Sequence, residues 1–323
     1  MISHRVVVFQ GNKGPPSTRA ATGNGSGGRA LSGRRFAFAA VGMVLSAAGL
    51  WWVFRGVDPG ELLDSSHRIR PLPLVGSLVV YWIGLVSLRG LLVRHLLAPV
   101  GRLRLLQACR YVYIGFLANN VLPLRAGDLA RSLAIHRGAG IGFASVVGGL
   151  AVERMLDLAL VALLALLALR VAPGLPEAVG TAALGGAAVL GAGFAVLAIL
   201  ARRRRGSSIE PAGEDDSRRS AFARVKVLWF RFTAGFVAFG TASGAAAAAG
   251  LAVAIWAVAL GAMALRLWAF DLAPDPAVAL VLMVALGLGV AVPSAPGYVG
   301  TYHAAVAFAL GLFVGALVVL VRR

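Results

Sequence analysis

Three ionisable residues lie within five positions of the otherwise uncharged apolar stretch 141–169: Glu153, Arg154 and Asp157. At helical spacing, Glu153 and Asp157 share a face at i and i+4, and Arg154 meets Asp157 at i and i+3. An unpaired charge in the middle of a membrane-spanning helix costs ~2.5–3.5 kcal/mol, so these side chains require partners or water. The pattern favours a polar translocation cavity. The alternative is a structural ion-pair cluster that holds the helices together.

A second set of polar and helix-breaking residues lies in the segment 111–131. Its members are Asn119, Asn120, Pro123, Arg125, Gly127, Asp128 and Arg131. If a helix restarts after Gly127, Asp128 lies at its N-terminus, where a negative charge is favoured, and shares a face with Arg131 at i and i+3. Arginine suits phosphate because its planar guanidinium donates two hydrogen bonds. An ordinary cytoplasmic loop, whose arginines follow the positive-inside rule, explains the same residues equally well.

The third set surrounds a Pro- and Gly-rich interruption at 292–300 in the apolar run 277–321. It comprises Pro293, Ser294, Pro296, Gly297, Gly300, Tyr302 and His303. A histidine beside a broken helix could titrate, donate to phosphate or cap a carbonyl, although a packing histidine is more common. We therefore favour packing for His303 alone, and function for the break around it.

The two interruptions resemble each other. Pro123 and Gly127 stand four residues apart, as do Pro293 and Gly297. Backbone groups freed at such breaks must be satisfied by protein or water, since hydrocarbon offers them no partner. Paired Pro/Gly breaks point to a transporter-like binding site at a repeat interface, and the alternative is a chance match in a chain with 41 glycines.

These residues sit among apolar segments long enough to cross a bilayer. Of 323 residues, 59% are hydrophobic and 14% charged, and the mean hydropathy is +0.83. The clearest segments are 36–54, 71–88, 141–169 and 179–201. The sequence predicts an all-α, polytopic transmembrane bundle of about 6–8 spans with two broken or re-entrant segments, at 111–131 and 292–303. The first of these is either a re-entrant hairpin or a pair of short spans.

The net charge of +18 has an explanation that needs no nucleic acid. Basic residues cluster in 1–35 and 202–231, both beside apolar segments, as the positive-inside rule expects of cytoplasmic loops. Those at 89, 94, 102, 104 and 110 are assigned to another inside segment, whereas the turn 171–177 lacks Lys and Arg and should lie outside. We therefore expect a disordered cytoplasmic tail at 1–35 and a transmembrane domain at 36–323 with a basic cytoplasmic loop at 202–231.

Enzyme chemistry has little support in the sequence. The longest polar segments, of about 35 and 30 residues, are too short to fold a catalytic core. No P-loop, metal-ligand cluster or nucleophile motif is present. The single cysteine, Cys109, excludes an intrachain disulfide and a thiolate metal site. We expect a protein that is not an enzyme and carries no cofactor or metal.

Taken in order, the three sets resemble the membrane domain of the lysylphosphatidylglycerol synthase/flippase-like family. The matching residues are Asn120, Leu122, Pro123, Gly127, Asp128, Arg131, Glu153, Arg154, Asp157, Pro293, Pro296, Gly297 and Gly300. The resemblance covers about residues 36–310. Where many relatives have a glutamate after the Pro-Gly motif, this chain has His303, and relatives commonly continue through further helices.

The resemblance implies a multi-pass protein of the bacterial inner membrane that moves or handles a lipid headgroup, on a phospholipid or on a polyprenyl- or glycolipid-linked substrate. The leading interpretation is lipid translocation without ATP hydrolysis by this chain. Anionic or phosphate headgroups would meet Arg125, Arg131 and Arg154, balanced by Asp128, Glu153 and Asp157. The alternative is a non-transporting partner that presents a membrane lipid to a separate glycosyltransferase or aminoacyltransferase.

The charge pattern gives a topology that can be tested directly. With the N-terminus and the loop 202–231 inside, cysteines introduced at Ser207 and at Gly174 should be labelled by an impermeant reagent from opposite sides of the membrane. Labelling of both positions from the same side would contradict the topology.

Overall fold

The computed structural model of the protein describes residues 44, 47–48, 50–55, 60, 67–121, 126–171, 177–204, 221–272, 275–289, 303 and 306–307. Throughout these ranges the regular structure is helical and includes no strand, which confirms the all-α expectation for this part of the chain. The tail 1–35, residues 205–220 of the basic loop and eight residues of the predicted sets lie outside the described residues. Those eight are Pro123, Arg125, Pro293, Ser294, Pro296, Gly297, Gly300 and Tyr302.

The helices are numbered here in chain order. They are α1 (Pro71–Leu97, with a π-helical turn at Val80–Leu85), α2 (Leu105–Val121), α3 (Gly127–Ala139), α4 (Phe143–Val171), α5 (Glu177–Arg204), α6 (Ala221–Ala234), α7 (Ala242–Ala269) and α8 (Pro276–Gly289). A 3-10 turn, Val237–Gly240, precedes α7. By length and composition, α1 and α7 could each cross a membrane.

Local sequence explains where several of these helices begin and end. Pro71 opens α1, where its fixed φ suits the first helical position and its missing N–H leaves no bond unmade. The Thr241 hydroxyl accepts a hydrogen bond of 2.7 Å from the Gly244 N–H and so caps α7. Gly140 ends α3 with a φ of 68°, the left-handed conformation that glycine adopts without strain.

The centre of the described bundle is formed by α1, α4 and α7. Apolar side chains from these helices share one buried cluster, which includes Leu92, Leu96, Val152, Leu156, Ala252 and Ile255. α1 is antiparallel to α4, since Leu97 lies near Gly149 while Arg89 pairs with Asp157. α1 is also antiparallel to α7, since Tyr81 packs under the Arg266 guanidinium at 4.8 Å and His95 bonds the Gly244 carbonyl.

Helices α2 and α3 form an antiparallel hairpin that packs beside α1 and α4. Val112 of α2 and Ile135 of α3 are buried in one cluster with Val93 and Val146. The two helices are in close contact at Gly127, where an added Cβ would overlap the Gly115 carbonyl oxygen and the Asn119 side chain. The sequence left open whether a helix restarts after Gly127, and α3 does begin at Gly127.

One boundary predicted from the sequence is wrong. The span expected to end at residue 88 continues as helix to Leu97, so Arg89 and Arg94 lie on α1 and not in a cytoplasmic loop. The physical reason is that the apolar face continues past Arg89. Leu92, Val93, Leu96 and Leu97 are all buried, and their burial extends the helix by more than two turns.

The close approach at Gly127 predicts the effect of a single methyl group. Gly127→Ala should lower the stability of the hairpin by ~1–3 kcal/mol, because the new Cβ overlaps backbone that cannot move aside. The matched control is Gly261→Ala on α7, where no atom lies within 4 Å of the new Cβ. Thermal unfolding of the purified protein in detergent should show a lower unfolding temperature for Gly127→Ala and no decrease for Gly261→Ala. Equal unfolding temperatures would contradict the close packing.

Candidate functional site

Glu153 is the buried centre of the site, with a side chain that is 1% exposed. Arg89 donates from Nη1 to Glu153 Oε1 at 2.8 Å, and Arg131 donates to both carboxylate oxygens. Arg89 comes from α1, Arg131 from α3 and Glu153 from α4. Two guanidinium groups thus compensate a carboxylate in a part of the bundle that water hardly reaches, and charge-assisted hydrogen bonds of this kind are strong.

Asp157 lies one turn further along α4 and receives hydrogen bonds from three side chains. Arg89 donates from Nη1 at 3.1 Å and from Nη2 at 3.3 Å. Arg154 Nη1 donates at 3.2 Å, and the indole Nε1 of Trp256 on α7 donates at 3.1 Å. Asp157 therefore joins α1, α4 and α7 through one carboxylate.

The Arg154–Asp128 pair forms the accessible end of the site. Arg154 donates from Nη2 to Asp128 Oδ1 at 2.6 Å and from Nε to Oδ2 at 3.0 Å, a bidentate arrangement. The side chains are 44% and 35% exposed, respectively. Asp128 lies in the first turn of α3, so this pair attaches the tip of the α2–α3 hairpin to α4.

The six charged side chains balance one another and form one connected network. Arg89, Arg131 and Arg154 face Asp128, Glu153 and Asp157, which gives three positive and three negative charges. Within the described ranges, the Arg89 Nε is a buried polar atom without a hydrogen-bond partner. No group of three or more His, Cys, Asp or Glu in those ranges is arranged to hold a metal ion. The carboxylates are instead occupied by guanidinium groups.

The inner end of the network has little room for solvent. A cavity of about 10 Å³ adjoins Glu153 and Arg131, enough for about one water molecule. Its other walls are mostly apolar and include Val93, Leu97 and Ile135. The network is thus closely packed around Glu153 and more exposed around Arg154.

The structure joins two of the three residue sets predicted from the sequence. Asp128 and Arg131, expected to share a face, each pair with α4 and not with one another in the described contacts. Asn119 Oδ1 accepts a 2.9 Å hydrogen bond from the Gly127 N–H, so its amide joins α2 to the start of α3. Asn120 donates to the Phe116 carbonyl of its own helix at 3.0 Å. Of the third set, His303 is helical and exposed.

Two residues of the network were missed by the sequence analysis. Arg89 was grouped with loop arginines, although two acids on one face of α4 with a single arginine beside them required a further cation. Trp256 lies within an apolar helix, where a buried indole N–H needs an acceptor. The pairing of Arg89 with Glu153 could not be read from helical spacing, because the two residues are 64 positions apart in the chain.

The described bundle contains two helices long and apolar enough to cross a membrane and a charge-balanced ionic core. The profile of the lysylphosphatidylglycerol synthase TM region matches residues 39–321, and the chain belongs to this family. It is also similar to a protein named glycosyltransferase AglD from Haloferax volcanii, with 28% identity over 187 residues. That similarity covers 58% of this chain and 27% of the relative, so the chain spans about a quarter of that protein. No solved structure matches the chain.

Because Arg131 is buried and Arg154 is half exposed, replacing each of them by glutamine should lower the stability of the protein by different amounts. Arg131→Gln should cost ~3–5 kcal/mol and deplete the folded protein, because Glu153 remains buried with one cation fewer. Arg154→Gln should cost ~1 kcal/mol or less, because Asp128 is exposed enough to take up water and Asp157 keeps Arg89 and Trp256 as partners. The yield of monodisperse protein and its unfolding temperature measure both. Equal losses of yield and unfolding temperature in the two variants would contradict the difference in burial between Glu153 and the Arg154–Asp128 pair.

Proposed function

We propose that this protein translocates the headgroup of a membrane lipid, a phospholipid or a polyprenyl- or glycolipid-linked substrate, across the bacterial inner membrane. The observation that carries the proposal is a charge-balanced network inside the bundle with one bidentate arginine pair half exposed. A polar headgroup crossing hydrocarbon needs polar partners along its path, and intramembrane ionisable residues commonly mark such paths. Family membership supports the link to lipids.

The proposed topology has about 6–8 spans, an inside N-terminus, and α2–α3 as a re-entrant hairpin entering from the cytoplasm. The loops flanking the hairpin lie together, since Leu103, Ala139 and Ile141 pack in one cluster. Arg102, in the loop before α2, and Arg137, in the last turn of α3, are both exposed, as basic residues at a cytoplasmic surface are. α2 has 17 residues and α3 has 13, or about 25 and 20 Å, less than the ~30 Å hydrocarbon core.

The re-entrant hairpin would bring its tip to the level of the network. Glu153 lies ten residues into α4, roughly 15 Å from the cytoplasmic end of that helix. At this level, α2 ends at Val121 and α3 begins at Gly127. Helix ends lie inside a membrane only beside protein or water, which can satisfy their free backbone groups. Arg154 would receive the phosphate because its planar guanidinium presents two donors and remains accessible.

We further propose that the chain is not itself an enzyme. A second candidate function is the presentation of a lipid to a separate glycosyltransferase or aminoacyltransferase. The similarity to a relative named as a glycosyltransferase favours this candidate, since this chain corresponds to about a quarter of that protein. In that case, the network would hold a headgroup at one leaflet without moving it.

Reconstitution separates the two candidates. Liposomes containing the purified protein should scramble fluorescent lipids, measured as the fraction bleached by an external reductant, with phosphatidylglycerol and a polyprenyl-phosphate lipid as separate substrates. If the folded protein scrambles no lipid class but raises the rate of an added transferase, the result would contradict translocation and support lipid presentation.

The exposed arginine of the network should be required for transport. Arg154→Gln should reduce scrambling at least ten-fold while folded protein remains abundant, because the headgroup loses its bidentate donor. The matched control is Arg70→Gln, which breaks another arginine–aspartate pair, Arg70–Asp271, with both side chains about half exposed and with the same 2.6 Å separation. The control should retain transport. Full activity of Arg154→Gln would contradict the proposed path.

A further inference from the structure

We infer that Asp128 is an internal counter-ion that occupies Arg154 until a phosphate-bearing headgroup displaces it. This inference rests on the proposed function and concerns the regulation of the same site. It assigns Asp128 a competitive role: the carboxylate holds the place of the ligand and does not bind it. The observations behind it are the differing attachments of the three acids and the position of Asp128 at the hairpin tip.

Asp128 is the acid most easily released from the network. Glu153 is 1% exposed and held by two arginines. Asp157 is 14% exposed and held by Arg89, Arg154 and Trp256. Among the described contacts, both hydrogen bonds to the Asp128 carboxylate come from Arg154, and its side chain is 35% exposed. A released Asp128 can be hydrated, whereas a released Glu153 or Asp157 would remain buried without compensation.

Charge and geometry both match a phosphodiester. Asp128 contributes one of the three negative charges that balance three arginines. A phosphodiester also carries one negative charge, so its exchange for Asp128 keeps the network neutral. It also presents two oxygens to the guanidinium, as the Asp128 carboxylate does to Nη2 and Nε of Arg154.

Displacement would loosen the hairpin at one point and leave it held at another. Asp128 and Arg131 lie one turn apart on α3 and attach it to α4 through Arg154 and Glu153, respectively. Release of Asp128 leaves the buried Arg131–Glu153 pair in place. The first turn of α3, which contains Asp128, is therefore the part of the hairpin that responds to a bound headgroup.

Removal of the competing charge should strengthen ligand binding. The purified full chain in neutral detergent is titrated with dioctanoyl phosphatidylglycerol, and with dioctanoylglycerol as a probe that lacks phosphate. Asp128→Asn should bind the phosphatidylglycerol about ten-fold more tightly than the wild type and the dioctanoylglycerol no differently. The control Asp271→Asn, which removes the acid of the Arg70 pair, should leave both affinities unchanged. An unchanged or weaker affinity of Asp128→Asn for phosphatidylglycerol would overturn the inference.

Two further arms identify the donor and the source of the phosphate. In Asp128→Asn combined with Arg154→Gln, the gain should disappear, and its persistence would overturn the role of Arg154. The water-soluble headgroup glycerophosphoglycerol is titrated in parallel. A gain for this compound without a gain for the lipid would overturn the assignment to a membrane lipid.

The wild-type protein provides a test that does not depend on a variant that folds. Phosphatidylglycerol should increase hydrogen exchange of the amides at 127–131, and dioctanoylglycerol should not. Unchanged exchange at saturating phosphatidylglycerol would overturn the inference. The proposed function fails separately: tighter binding by Asp128→Asn without scrambling by the wild type refutes translocation and leaves the counter-ion role standing.

Discussion

The pairing of Glu153 with Arg89 and Arg131 is the contact on which the arrangement of the site depends. It draws one charged side chain from each of α1, α3 and α4 to a point that solvent hardly reaches. A carboxylate in that environment is tolerated only with its counter-ions in place, so the three helices must approach in one register. The close contact of α2 and α3 at Gly127 then positions Arg131, because an added Cβ there would force the helices apart.

From that centre, the network becomes progressively more accessible. Asp157 extends it to Trp256 of α7, and Arg154 carries it to Asp128 and the hairpin tip. The inner ion pairs fix the geometry of the site, because a buried charge that loses its partner destabilises the folded protein. The outer pair can exchange partners because water is available to both side chains. One connected set of six charges thus contains both a scaffold and an exchangeable contact.

The sequence predicted the parts of this site that depend on local spacing. Glu153, Arg154 and Asp157 stood out as charges in an apolar run. A helix restart after Gly127 was one of two interpretations of the Pro/Gly break, and the structure contains it. Partners distant in the chain could not be inferred. Asp128 and Arg131 were placed on one face, but the choice of Arg154 and Glu153 as their partners depends on how α3 packs against α4. Arg89 was misassigned because the positive-inside rule describes loops, and here the apolar face extends past it.

The desolvation cost of the six charged side chains bears on the role of the network. Buried ion pairs are frequently no more stabilising than well-packed apolar residues of similar volume, since desolvation offsets most of the attraction. The apolar clusters around Leu92, Val112 and Ile255 already hold the described helices together without charge. Six ionised groups would therefore add little to the stability of the bundle beyond what leucines or phenylalanines could provide. What apolar residues cannot provide is a half-exposed guanidinium, held in one orientation by Asp128 and Asp157, beside the start of α3. This difference favours the proposed headgroup site over a purely structural role for the network.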